Sequence, residues 1–134
     1  TKLAPELSNE AHYYRAKAYL DAGKTDGAME DLKVLAKDTR NVYGAEAKYK
    51  VAQIYFDGGQ TDKAEQEVLN YIEVSTPHTY WLARSFVLLA DVYMKLGRNL
   101  DAKQYLLSLK QNYQADDDIA GMIESRLEKL KTEN

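Results

Sequence analysis

The sequence predicts an all-α fold: a solenoid of three stacked helical hairpins closed by a capping helix, seven helices in all. Two observations carry this expectation. A spaced triplet returns three times, as Tyr19, Gly23 and Ala28, as Tyr55, Gly59 and Ala64, and as Tyr93, Gly97 and Ala102. Its alanines stand 36 and 38 positions apart, a period in the range of paired-helix repeats. Beyond the last triplet, Ile119, Met122, Ile123, Leu127 and Leu130 recur at helical spacing and give one further amphipathic helix. A single hairpin cannot bury its apolar face alone, so such units stack on their neighbours. The 134 residues then form a single domain, with repeats at about 8–40, 41–76 and 77–114 and the capping helix at about 116–132.

Each element has its own signals. The first helix runs from Pro5 or Ser8 to Ala22, where Gly23 supplies a left-handed residue at no steric cost. Thr25 is the expected cap of the second helix, with Asp26 in the first turn, where a negative charge suits the helix dipole. The same device returns as Gly59, Thr61 and Asp62, and as Gly97, Asn99 and Asp101. Helix three is expected over Asn41 to Asp57, helix four over Asp62 to Val74, helix five over Pro77 to Leu96 and helix six over Leu100 to Tyr113. Thr76 and Pro77 form the start signal of the fifth, because proline suits the first helical position. Helix seven spans Asp117 to Lys131.

Composition narrows the function classes. With 45% apolar residues the chain can bury a core, and its 29% charged residues read as solvated faces. A net charge of −3 offers no basic stripe for phosphates, so nucleic acid is not the expected ligand. No apolar run approaches the roughly 20 residues of a membrane span, so no membrane insertion is expected. Without cysteine there is neither a disulfide framework nor a thiolate metal site. The chain opens on Thr1 rather than methionine, which points to a mature or excised piece of a longer protein.

The triplets, with Ala16, Ala52 and Ala90 three positions before each tyrosine and Leu32, Val68 and Leu106 four positions after each second-helix alanine, resemble the tetratricopeptide repeat family over nearly the whole chain. Small residues at Ala28, Ala64 and Ala102 let two helices cross closely, where a larger side chain would overpack by about 1–3 kcal/mol. The resemblance implies a right-handed α-solenoid that acts as a protein-interaction scaffold rather than an enzyme. It has departures: His12, Lys48 and Phe86 occupy the family's tryptophan-like position, and Arg15 replaces its first leucine, which suggests a partly exposed first helix. The connectors Thr39–Ala47 and Ser75–Ala83 are longer than the family's usual link. They are similar to those of a long-repeat branch of bacterial cell-envelope proteins, the Tol–Pal coordinating protein and outer-membrane assembly lipoprotein type. That likeness implies a periplasmic or envelope location, with the cytoplasm as the alternative.

In such a solenoid the concave face is lined by the first helix of each pair. Aligning the copies puts Tyr13, Tyr14 and Lys17 there, then Tyr49, Lys50 and Gln53, then Tyr80, Arg84, Val87, Leu88 and Asp91. Tyrosines with a few cations suit an extended or helical peptide, and Lys50 or Arg84 can take a carboxylate. Alternatively, Tyr13, Tyr49 and Tyr80 simply pack between repeats. The family's carboxylate-clamp pattern of lysine and asparagine is not reproduced, so a chaperone tail is not the expected occupant.

Catalysis finds no support. His12 and His78 stand in no motif; the first reads as a packing residue and the second as a solvated helix-start residue. Asp116, Asp117 and Asp118 lack the alternation and glycine of a calcium loop, and acids at a helix start need no metal. Neither cofactor nor metal is expected. The seventh helix offers a choice. With its stripe inward it caps the array; turned outward, Met122, Ile123, Leu127 and Leu130 form a homodimer surface or join a longer array. The opposite end is less protected, with Leu3 and Leu7 expected to cover the first repeat only partly, as in a chain cut from a longer array. Capping is the expectation.

Overall fold

The computed structural model describes residues 5–74 and 76–132, with side chains from Ser8 onward. Leu3 lies outside this range, as does the side chain of Leu7. Among the described residues there are seven helices and no strand: α1 (Pro5–Asp21), α2 (Thr25–Leu35), α3 (Val42–Asp57), α4 (Thr61–Glu73), α5 (Thr79–Lys95), α6 (Asn99–Asn112) and α7 (Ile119–Thr132). The fold is all-α, as the repeat period requires. Helices α1, α3, α5 and α7 each touch the next in that series, whereas α2 meets only α1 and α3, and α4 only α3 and α5. The odd-numbered helices therefore form the closely spaced inner layer of a curved stack, and the even-numbered ones splay apart outside it.

The turns within hairpins are three copies of one device. Gly23, Gly59 and Gly97 have φ of 74°, 81° and 77°. The amides of Lys24, Gln60 and Arg98 donate back to the carbonyls of Tyr19, Tyr55 and Tyr93, each at 2.8 Å. This closes each first helix in a Schellman turn. An added Cβ would meet nothing at these glycines, so the left-handed backbone, not crowding, is what selects them. The expected caps need correction. Thr25, Thr61 and Asn99 are first helical residues, and the N-cap positions fall on Lys24, Gln60 and Arg98, with no side-chain cap bond. The turn leaves one residue between glycine and helix, and its carbonyl already accepts the first intrahelical bond, as in Ala28 N–H to Lys24 at 3.2 Å. The acids Asp26, Asp62 and Asp101 do lie in the first turns.

The longer connectors are stapled to each other. Asn41 caps α3 by accepting from the Gly44 amide at 2.8 Å, and its own amide donates to the Asp38 carbonyl at 3.1 Å. A Cβ on Gly44 would stand 1.8 Å from that same carbonyl oxygen, so only glycine fits. The start signal at Thr76 and Pro77 falls short of the helix, which begins at Thr79. The Thr76 hydroxyl is engaged elsewhere: it accepts from the His78 amide at 3.1 Å and donates to the Thr39 carbonyl at 2.7 Å. His78 Nε2 donates to the Arg40 carbonyl at 3.0 Å, so its ring, at the N-cap of α5, also ties two connectors together.

Ala28, Ala64 and Ala102 are fully buried where paired helices cross, with Ala16, Ala52, Ala90, Leu32, Val68 and Leu106 around them. The position where a tryptophan is expected forms a link between the two helices of each hairpin. His12 Nδ1 meets Asp31 at 2.8 Å, Lys48 meets Glu67 at 3.0 Å, and the Phe86 ring faces Tyr105 at 6.2 Å. Polar pairing in two repeats thus replaces the aromatic pairing of the third. Asp31 is 2% exposed and accepts from Arg15 at 2.6 and 2.8 Å. That hydrogen bonding holds its carboxyl below the usual range, and burial opposes the shift. His12 thus links α1 to α2 through a hydrogen bond to Asp31.

On α7 the stripe faces inward: Ile119, Ile123 and Leu130 are buried, and Met122 and Leu127 pack against the same core. The stripe thus packs as in the capping arrangement, with α7 lying on α5 and α6.

Candidate functional site

The inner layer carries the groove residues, and equivalent positions make equivalent contacts. Tyr13 on α1 packs on Tyr43 at 4.9 Å and donates to Glu46 at 3.0 Å. One repeat further, Tyr49 on α3 packs on Trp81 at 5.7 Å and accepts from Arg84 at 3.0 Å. Tyr43 and Trp81, like Glu46 and Arg84, are 38 positions apart. Burial and Glu46 push the Tyr13 hydroxyl up to about 12. Burial also raises Tyr49, although Arg84 pulls the other way. Both phenols stay protonated and act as donors at neutral pH.

Around Tyr49 a chain of hydrogen bonds crosses the face. Tyr80 donates to Asp118 at 2.8 Å and accepts from Arg84 at 3.1 Å; Arg84 donates to Tyr49, which donates to Gln53 at 2.8 Å; Gln53 donates to Asp57 at 2.8 Å. Beside this chain lies an open cavity of about 430 Å³, lined by Leu20, Tyr49, Lys50, Gln53, Ile54, Asp57, Trp81 and Arg84. A second, of about 540 Å³, is lined by Phe56, Asp91, Met94, Lys95, Ser125, Arg126 and Lys129. Asp91 and Arg126 pair through two contacts of 3.0 Å, so α7 lines this second cavity as well as closing the core.

The sequence-predicted residues divide by environment. Lys50, Gln53 and Arg84 line the first cavity, and Asp91 the second. Tyr49 is 6% exposed: its ring packs between repeats while its hydroxyl borders the cavity. Tyr14, 60% exposed, stands edge-on to Tyr13, and Lys17 lies over the Tyr13 ring at 5.4 Å. Val87 and Leu88 are buried in the core and offer no groove surface, because α7 covers the inner layer at their level. Trp81, Asp57 and Arg126 were not read as groove residues. The 38-residue offset that relates Tyr43 to Trp81 is the signal that finds Trp81; it pairs Arg126 with the buried Leu88, and no such pair finds Asp57.

The acidic run at the start of α7 is engaged within the chain. Asp117 accepts from Tyr113 at 2.6 Å and from the Ile119 amide at 2.9 Å, and Asp118 accepts from Tyr80. Among the described residues no group of three or more histidines and acids is placed to hold a metal ion. Nor is any of their helices long and apolar enough to cross a membrane.

Paired helices, glycine turns and a lined inner face define a helical-repeat protein. Two family models, each described as tetratricopeptide repeat, match residues 10–38 and 83–113 and support that family for this chain. No curated protein and no solved structure matches it. Tetratricopeptide repeats are non-enzymatic and generally mediate protein–protein interactions.

Proposed function

We propose that this chain is a non-enzymatic interaction scaffold that binds a peptide or protein segment along its inner face. The observation that carries the proposal is the pair of cavities lined by the odd-numbered helices. Both combine aromatic or aliphatic walls with polar groups, the composition that suits a bound segment. The alternative, an oligomerisation or array-joining element acting through Met122, Ile123, Leu127 and Leu130, has less support, because that stripe is taken up by the core. We further propose one domain of three repeats with a cap, within a larger bacterial cell-envelope protein; the length of the connectors supports this.

A photo-crosslinking residue introduced at Gln53, inside the groove, and separately at Lys103, on the exposed side of α6, tests the main reading. Incubated with lysate of the source cell, the Gln53 variant gives a discrete adduct and the Lys103 variant does not. Adducts at Lys103 alone place the binding surface on the outer layer and refute the groove.

A further inference from the structure

The chemistry of the occupant can be narrowed at Arg84, on the footing of the groove reading. Glu46 and Arg84 hold equivalent places against the tyrosine of the preceding repeat, with opposite charge and unequal neutralisation. Glu46 has Lys50 one turn further on, at 3.3 Å. The residue one turn beyond Arg84 is Leu88, buried in the core, and no carboxylate among the described residues forms an ion pair with Arg84. Its two hydrogen bonds go to phenol oxygens, and Asp118 and Asp57 are reached only through the bridging Tyr80, Tyr49 and Gln53.

A guanidinium has five N–H donors, so donors remain after these two bonds. The rings of Tyr49, Trp81 and Tyr80 lie 4.8, 5.8 and 5.9 Å from its carbon and fix its plane. Burial works against the charge, but the bonds to Tyr80 and Tyr49 outweigh it and hold the pKa above its ordinary value. Arg84 is thus a permanent, oriented cation on the wall of a cavity, with no counter-ion of its own. Lys95 and Lys129, which also form no ion pair with described residues, line the second cavity. Of the acids nearby, Glu46 pairs with Lys50 and Asp91 with Arg126, whereas Asp57 accepts from the neutral Gln53 amide and forms no ion pair with described residues. Among the lining of the two cavities Arg84, Lys95 and Lys129 thus stand against the one unpaired carboxylate of Asp57, an excess of positive charge in a chain that is acidic overall.

We infer that the groove takes an acidic segment of a protein partner. One side-chain carboxylate sits on Arg84 beside Tyr49 and Trp81, and further acidic residues run toward Lys95 and Lys129. Planar recognition of a carboxylate suits arginine, and the flanking rings keep the pair partly dry.

The test is a nuclear magnetic resonance titration of the full chain with three short, end-blocked, leucine-containing peptides that differ only in carrying glutamate, glutamine or lysine. The glutamate peptide shifts the Arg84 Nε and Trp81 indole signals saturably, and the effect weakens with added salt. Arg84→Gln weakens that binding by about tenfold or more, the scale of a lost charge-assisted hydrogen bond, while Arg84→Lys restores part of it. Circular dichroism checks that both variants remain helical, and the three-peptide comparison on the wild-type chain needs no variant. Equal shifts of Trp81 by the glutamine or lysine peptide leave the groove in use and overturn the acidic partner. Shifts confined to Lys95 and Lys129 overturn the seat at Arg84. Absence of saturable shifts from all three overturns the inference together with the groove reading.

Discussion

At the scale of single residues, two side chains show how a position is fixed by what surrounds it. Gly44 is required by space, since a Cβ there would meet the Asp38 and Leu35 carbonyl oxygens at 1.8 and 2.6 Å. Those oxygens belong to the end of α2 and its connector, which the Asn41 side chain holds in place, so they cannot easily give way. Gly44→Ala is expected to cost at least the upper part of the about 1–3 kcal/mol typical of overpacking, lowering the Tm by several degrees. A thermal melt within error of wild type would refute the close approach. Asp31 is fixed by charge instead. Its folded pKa is depressed by Arg15, so its contribution is present above the ordinary carboxylate pKa and is lost as pH falls through the folded value. Asp31→Asn is therefore expected to destabilise by about 1–2 kcal/mol near neutral pH, with the low end favoured because the Arg15 side chain is 61% exposed. Urea unfolding at about pH 7 and about pH 3 checks this, since the gap between variant and wild type closes at the acid end.

At the scale of elements, the turn within each hairpin separates two expectations that the sequence mixes together. Gly23, Gly59 and Gly97 were legible because a left-handed backbone strongly restricts residue type, and the buried alanines because close crossing does the same. The threonines after them were misread as caps: the same residue suits a cap or a first turn, and the difference of one position depends on where the Schellman turn hands over to the next helix. This gives a paired prediction. Gly59→Ala is expected to cost about 1–2 kcal/mol for a left-handed alanine, whereas Thr61→Ala, with no cap bond to lose, is expected to change stability by less than about 0.5 kcal/mol. A loss near 1 kcal/mol at Thr61, as for a true cap, would contradict the turn seen here. Trp81 and Arg126 were less legible, because a residue's place on the inner face depends on which helix stands beside it. The pair Tyr43 with Trp81 becomes visible only when the repeat offset is carried through the connectors, and Arg126 has the buried Leu88 as its counterpart, so the offset does not find it.

At the scale of the whole molecule, the stack has two cores that meet on α3. One gathers Ala16, Ala28, Leu32, Leu35, Ala47 and Val51; the other runs from Tyr49 and Ala52 through α5 and α6 to Ile119, Ile123 and Leu130. Helix α5 touches four others, α3, α4, α6 and α7, whereas α1 touches only α2 and α3. In a quasi-one-dimensional array each unit is held by its own packing and by its neighbours, so a unit packed from one side opens at lower cost. The first hairpin adds to this by exposing Arg15 and Tyr14 and by replacing an apolar link with the hydrogen-bonded His12 and Asp31 pair. Native-state hydrogen exchange is expected to rank the amides of α1 and α2 below those of α5, with the slowest exchange in the middle turns of α5, where Leu88, Leu89 and Val92 are buried. With added denaturant the first hairpin should open as a unit while α5 to α7 stay protected, and their exchange should follow global unfolding. Uniform protection across all seven helices would mean that α3 couples the two cores into one cooperative unit, and would refute a separately opening first repeat.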